Sequence, residues 1–221
     1  MGQGMNIHSL YAVISPWFRR RRMARFAAVM RPKEQTQILD VGGYPGCWPE
    51  GECCAQVTCV NPDRTTGYVA SARRRMLRGN GCALEFGERS FDIGYSNSVI
   101  EHLGTWERQQ QFAAEIRRVG KALWVQTPAR WFFIEPHLIA PFIHYLPKSA
   151  QRPLLRWLTV WGWLTRPTPA QVDAFLAEVR LLTAEEMRVL FPDCRLERER
   201  FLGLFTKSYI AVRPPVGGVA Q

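Results

Sequence analysis

Between Gln37 and Gln126 short apolar runs alternate with turn residues and helical stretches, a rhythm that admits few architectures. Strands separated by helices pair in parallel, and a parallel sheet must be covered by helices on both faces. Gln37 to Val41 is the first expected strand, Gln56 to Val60 the second, Arg75 to Arg78 a short third and Phe91 to Ser96 the fourth. An arginine-rich helix beginning near Tyr68 is expected to lead into the third strand. Trp106 to Val119 reads as the best helix, with Phe112, Ile116 and Val119 on one stripe and charge on the opposite face. Lys121 to Gln126 then reads as the fifth strand.

The flanks break this rhythm. Residues 1–35 form a basic, aromatic leader in which Tyr11 to Pro32 reads as a helix. Its Phe18, Met23, Phe26 and Met30 recur at helical spacing, so one face packs on the main domain while the arginines stay wet. Residues 128–168, dense in proline and aromatics, are an insertion after the fifth strand. Helices resume at Pro169 to Arg180 and after Thr183, where Thr183 and Glu186 have capping-box spacing. Arg195 to Phe201 and Lys207 to Val212 are close enough to pair as an antiparallel hairpin. With 47% hydrophobic residues, the 221-residue chain is expected to form a single domain with one large core.

Charge and cysteine usage narrow the setting. The net charge is +10, and 25 of the 29 basic residues are arginine, whose planar fork suits carboxylates and phosphates. A solvated basic surface and an anionic partner both account for it. Cys47, Cys53, Cys54, Cys59, Cys82 and Cys194 lack the paired spacing of a structural zinc or redox site, and are expected to be buried free thiols. No apolar run of membrane-spanning length and no basic-then-apolar leader is present, and Asn6 stands where a myristoylation signal has Ser or Thr, so a cytoplasmic protein is expected.

The chemistry sits in two segments. Ile38, Leu39, Asp40 and Val41 run into Gly42, Gly43, Tyr44, Pro45 and Gly46, a strand that opens into glycines at the edge where a parallel sheet binds ligands. Pro45, Pro49 and Gly51 leave little room for a long first helix, which disfavours a pyrophosphate on a helix N-terminus. More specific is Gly79 to Phe86 followed by Ser90 to Leu103, which contains Phe91-Asp92-Ile93-Gly94-Tyr95-Ser96-Asn97-Ser98-Val99-Ile100-Glu101-His102.

Those segments resemble the class I S-adenosylmethionine-dependent methyltransferases of small-molecule type, whose fourth strand reads FDxVxSxxVxEH after a GDAxxLPF loop. Asp40 to Trp48, Val57 to Asn61, Ser96 to Trp106 and Gln126 to His137 are similar to a bacterial subgroup with DVGGTPxFW, VTLLN, SNSVIEHVGxW and QTPNRxFPIEPH. The resemblance covers about residues 37 to 127, and the terminal hairpin agrees with it. It implies a fold class of α/β: a Rossmann-like, seven-stranded, mostly parallel sheet with an antiparallel terminal hairpin. It implies S-adenosylmethionine as cofactor, with Asp40, Gly42, Gly43 and Gly46 around its methionine part and Tyr44 in the cofactor set beside them. Asn61 takes the ribose position and Asn80 the adenine position, where the family carries acids; Gly81, Ser96 and Asn97 complete the cofactor set. Tyr44 replaces a common glycine.

His102, just after the fourth strand, is then the expected catalytic base, since an imidazole titrates near neutrality. Glu101 reads as structural and no metal is expected; a Glu-His metal site, as in some quinone O-methyltransferases that the family includes, is the minor alternative. Glu135 and His137 are expected to meet the acceptor, with His144 a further residue of the same insertion. Most of the insertion's aromatics read as a hydrophobic cap, and Leu154 to Leu164 as its extension or a peripheral membrane contact. The acceptor is expected to be a small molecule or a glycan or lipid-linked intermediate. A nucleic-acid methyltransferase is the first alternative, supported by the arginine runs at 19 to 22 and 73 to 75 but lacking an Asn/Asp-Pro-Pro-aromatic motif. A non-catalytic protein on the same fold is the second, motivated by Tyr44, Asn61 and Asn80.

Overall fold

A computed structural model describes residues 7–49, 51, 53–62 and 71–215, with side chains from Phe18 onward. The leader is a helix, α1 (Ile7–Met30). The expected strands follow as β1 (Gln37–Val41), β2 (Gln56–Asn61), β3 (Arg74–Arg78) and β4 (Phe91–Asn97), then α2 (Trp106–Val119) and β5 (Gly120–Pro128). The helix expected near Tyr68 falls mostly outside the described residues, and the part inside, Ser71 to Arg73, is a turn. The insertion holds a two-residue pair of strands, β6 (Ile134–Glu135) and β7 (Ala140–Pro141), then α3 (Lys148–Leu158) and α4 (Val160–Thr165). Beyond it come α5 (Pro169–Glu178), α6 (Ala184–Leu190), β8 (Arg195–Phe201) and β9 (Phe205–Arg213).

Seven strands form one sheet in the order β3-β2-β1-β4-β5-β9-β8. Strands β1 to β5 pair in parallel, while β9 runs antiparallel to both of its neighbours. Every strand of the parallel part therefore ends at the same edge, and the loops there bring Val41, Asn61, Asn97 and Pro128 together. Alternation along β5 shows why the sheet is covered twice. Leu123 and Val125 join the core under α2 and α6, whereas Ala122 and Trp124 join the core under α1.

The α1 side is an aromatic nest. Phe26, 1% exposed, meets Trp48, Tyr95 and Trp124 edge to face at 5.6, 5.2 and 5.6 Å. Such pairs each contribute about 0.5–1.5 kcal/mol beyond the burial of area. The leader packs as expected, but its arginines are not all wet. Arg22 is half-buried and bonds Asn97 Oδ1 at 2.6 Å and Glu199 at 2.8 Å, because the hairpin closes against that turn of helix.

Beneath the loop after β1 lies Arg74, 1% exposed, whose guanidinium donates to the carbonyls of Trp48, Cys53 and Ala55. Between β1 and β2 the first helix is reduced to a single 3-10 turn, Pro45–Cys47, as the prolines require. All six cysteines are free; Cys53 and Cys59 are buried, but the other four are only half-buried, since the loops carrying them lie at the rim of the core.

The insertion builds a small core of its own. Leu138, Ala140, Ile143 and Leu155 pack on Val172 and Leu176 of α5, and Trp161 stacks on Phe175 at 5.3 Å. Its aromatics, expected to form mostly a hydrophobic cap, divide instead: Phe132 is buried and Phe133 and Trp161 are half-buried, whereas Trp131, Phe142, Tyr145, Trp157 and Trp163 are exposed. Among the described residues no helix is long and apolar enough to cross a membrane.

Candidate functional site

At the carboxyl edge of β1 the glycine turn is fixed by close approach. Gly42 takes φ +86°, and a Cβ on it would lie 2.4 Å from Val99 Cγ2; on Gly43 it would lie 1.8 Å from Asp40 Oδ2. Neither position admits a side chain. At Gly46 the same atom would meet nothing within 4 Å, so the turn opens on free space there. Gly42 N donates to Val60 O at 2.7 Å and Asn61 Nδ2 donates to Gly42 O at 3.2 Å, which ties the turn to the end of β2.

Asp40 acts from below this turn. It is 2% exposed and accepts from Trp48 Nε1 at 2.7 Å. Burial pushes its carboxyl up to about 7, against the opposing effects of Trp48 and Arg19. Other expected cofactor residues divide by where they point. Tyr44 is exposed beside the turn. Gly81 packs where a Cβ would press Val41 and Phe112, and Asn80 Oδ1 accepts from Cys82 N at 3.0 Å to hold that loop. Ser96 is fully buried and donates to Val41 O at 2.9 Å, so its hydroxyl locks β4 to β1. Asn97 is engaged by Arg22.

A second group stands where β4 ends. Val99 leads into a 3-10 turn, Ile100–Leu103, that carries Glu101 and His102. Glu101 is fully buried, and its Oε2 accepts from Thr127 Oγ1 of β5 at 2.9 Å. His102 Nδ1 meets Glu178 Oε1 of α5 at 3.0 Å. His137 from the insertion packs edge to face on His102, ring centroids 4.7 Å apart, and its Nδ1 meets the buried Glu135 Oε1 at 2.7 Å. Glu135 Oε2 also accepts from Leu138 N at 2.6 Å. The carboxylates around His137, Glu135 first, outweigh its burial and raise its pKa, while burial alone raises that of Glu101.

The structure therefore brings His102, Glu135 and His137 into one cluster, and adds Glu101, Thr127 and Glu178. Glu178 carries no sequence signal, because it meets His102 only through the docking of α5. His144 is elsewhere: its Nε2 lies 3.0 Å from Arg130 O, in a cavity of about 210 Å³ that Glu135 borders from the other side. A larger groove of about 830 Å³ runs between α1 and the hairpin, lined by Arg21, Arg22, Arg25 and Phe201. No residue of the glycine turn lines it, so it is not the place where chemistry at the strand ends would occur.

Residues 39–122 match the family model described as a methyltransferase domain. No curated protein matches the chain. Among solved structures, a methyltransferase assigned to an antibiotic biosynthesis pathway of Anabaena variabilis is similar, with 16% identity and a TM-score of 0.53 over 82% of this chain and 64% of that one. Phosphoethanolamine N-methyltransferase 2 of Haemonchus contortus, bound to S-adenosyl-L-methionine, is 14% identical with a TM-score of 0.56 over 89% and 52%. A methyltransferase of Haloferax volcanii, in complex with the Trm112 activator, is 10% identical with a TM-score of 0.53 over 97% and 99%. The chain thus spans only 64% and 52% of the first two relatives. The stretch from β1 into β5 thus matches a methyltransferase domain, on a fold that the chain shares with solved methyltransferases, one of them bound to S-adenosyl-L-methionine.

The residues present fit that cofactor. Gly42 and Gly43 exclude side chains and leave bare backbone at the turn, and Gly46 opens on space.

Proposed function

We propose that the chain transfers the methyl group of S-adenosylmethionine to a hydroxyl on a small molecule or on a glycan or lipid-linked intermediate. The observation that carries this reading is the cluster of His102, His137 and two buried glutamates at the same sheet edge as the glycine turn. Gly42, Gly43 and Gly46 would hold the methionine part, Asn61 the ribose and Asn80 with Gly81 the adenine. The bound cofactor supplies an electrophilic methyl group on a sulfonium. The chain's task is to align the acceptor in line with it and handle the acceptor's proton. His102, with Nδ1 committed to Glu178, keeps Nε2 for that proton, and His137 with Glu135 orients the acceptor. A nucleic-acid acceptor is disfavoured by the use the chain makes of its arginines. Arg19 donates to Cys47 O, Arg22 bonds Asn97 and Glu199, Arg73 meets Glu34 and Arg74 is buried.

Titration calorimetry with S-adenosylhomocysteine tests the cofactor half. One equivalent should bind, and Gly46→Leu, whose side chain enters open space without disturbing packing, should weaken binding at least tenfold. Absence of binding by the unaltered chain would refute the reading, and an unweakened Gly46→Leu would move the cofactor off this turn. His102→Ala should leave that affinity unchanged and lower turnover on an acceptor by ~10²-fold or more. Full turnover would remove His102 from the mechanism.

A further inference from the structure

Glu101, His102 and His137 each offer one ligand atom, and these atoms lie within 4.8 Å of one another. Three features mark the group as more than a polar contact. Glu101 is fully buried, yet its Oε1 has no hydrogen-bond partner among the described residues, while Oε2 is satisfied by Thr127. A buried carboxylate oxygen left without a donor is costly, typically by about 1–3 kcal/mol or more for a charged group. Both imidazoles, moreover, have Nδ1 on a carboxylate: His102 on Glu178 at 3.0 Å and His137 on Glu135 at 2.7 Å. A carboxylate behind Nδ1 fixes the tautomer, leaves the Nε2 lone pair outward and raises its basicity, as behind metal-bound histidines. Finally, the three groups come from two elements far apart in the chain, the turn after β4 (Glu101, His102) and the insertion (His137), and converge at the sheet edge.

We propose that Glu101, His102 and His137 form a binding site for a first-row divalent cation of the zinc type. Glu135 and Glu178 are the supporting carboxylates of the two imidazoles. Two nitrogens and one carboxylate oxygen suit such an ion, and three protein ligands leave a position open. Bonds of about 2.0–2.1 Å would set the ligand atoms roughly 3.3 Å apart, so the group must contract on binding. The side chains that must move are the two histidines, 32% and 21% exposed, and not the buried glutamate.

The use made of the ion rests on the methyl-transfer reading. An acceptor hydroxyl in the open position has its pKa lowered by the cation; its O–H bond breaks, the electron pair stays on oxygen and the proton leaves to solvent. With the ion bound, His102 Nε2 is its ligand and solvent takes the proton; in the metal-free chain His102 is the direct base.

The test strips the full chain with a chelator and titrates it with Co2+ by visible absorption and with Zn2+ by calorimetry. One equivalent of cobalt should give intense four- or five-coordinate bands that zinc abolishes. Glu101→Gln, which keeps the shape, and His137→Gln should each weaken binding at least tenfold, and Glu135→Gln by about 10–100-fold. Circular dichroism of each variant checks that it is folded. Absence of cobalt bands and zinc heat, or unweakened binding in folded Glu101→Gln and His137→Gln, would overturn the site. S-adenosylhomocysteine binding on the same samples separates the two readings. Cofactor bound without cation overturns the metal site and leaves methyl transfer standing; cation bound without cofactor supports the site and overturns methyl transfer.

Discussion

Asp40→Asn isolates a single ionisation under the glycine turn. The substitution keeps the shape and an oxygen to accept from Trp48 Nε1, and it removes the charge. In the unfolded chain Asp40 loses its proton near the ordinary 3.8, and in the fold near 7. Between those values the folded state holds a proton that the unfolded state lacks, so rising pH favours unfolding. The contribution is fully present below about pH 4 and is lost as pH rises through about 7. A difference of about three pH units at 1.36 kcal/mol each puts the loss on the order of 4 kcal/mol. Urea unfolding of both proteins at intervals from about pH 3 to 8 measures it. The two should be equally stable at the acid end, and the variant should gain steadily on the parent until the difference levels off above pH 7. Parallel stability curves would refute the reasoning, since they would mean that Asp40 is ionised in the fold throughout, held by Trp48 and Arg19.

Two further substitutions probe what holds the site's floor. Phe26→Ala removes the hub of the aromatic nest and should cost about 3–5 kcal/mol in urea unfolding; a loss under about 1 kcal/mol would show that α1 contributes little to the core. Arg74→Met leaves the carbonyls of Trp48, Cys53 and Ala55 without their donor and should cost about 3 kcal/mol or more by the same assay. An undiminished stability would mean that water serves those carbonyls as well as the guanidinium does.

The parallel sheet was legible in the chain because its signals are local. Apolar runs of strand length, the stripe on α2 and the Thr183–Glu186 capping box depend on neighbours within a few residues, and α2 and β8 fall within the expected bounds. Arg22 was not legible: within a run of four arginines nothing distinguishes the one that the hairpin will cover. Glu101 reads as structural from sequence, and its buried, half-satisfied carboxylate is visible only once β5 lies beside it. His102 and His137 each stand out as candidates in the sequence, but their meeting requires the insertion to fold back across 35 positions, and the carboxylate behind His102 lies 76 positions away. Ser96 shows the opposite failure. Its place on β4 suggests a cofactor contact, and the strand's alternation turns it inward instead.

The insertion's private core has a consequence for when the site exists at all. Leu138, Ala140 and Ile143 are stabilised mainly by Leu155 and α5, not by the sheet, so this segment can open as a cooperative unit of its own at less free energy than global unfolding. Each opening withdraws Glu135 and His137 from His102 while leaving the glycine turn intact. Under the methyl-transfer proposal competence is then a closed fraction, and an acceptor that touches both halves raises that fraction by the affinity difference between the closed and open forms.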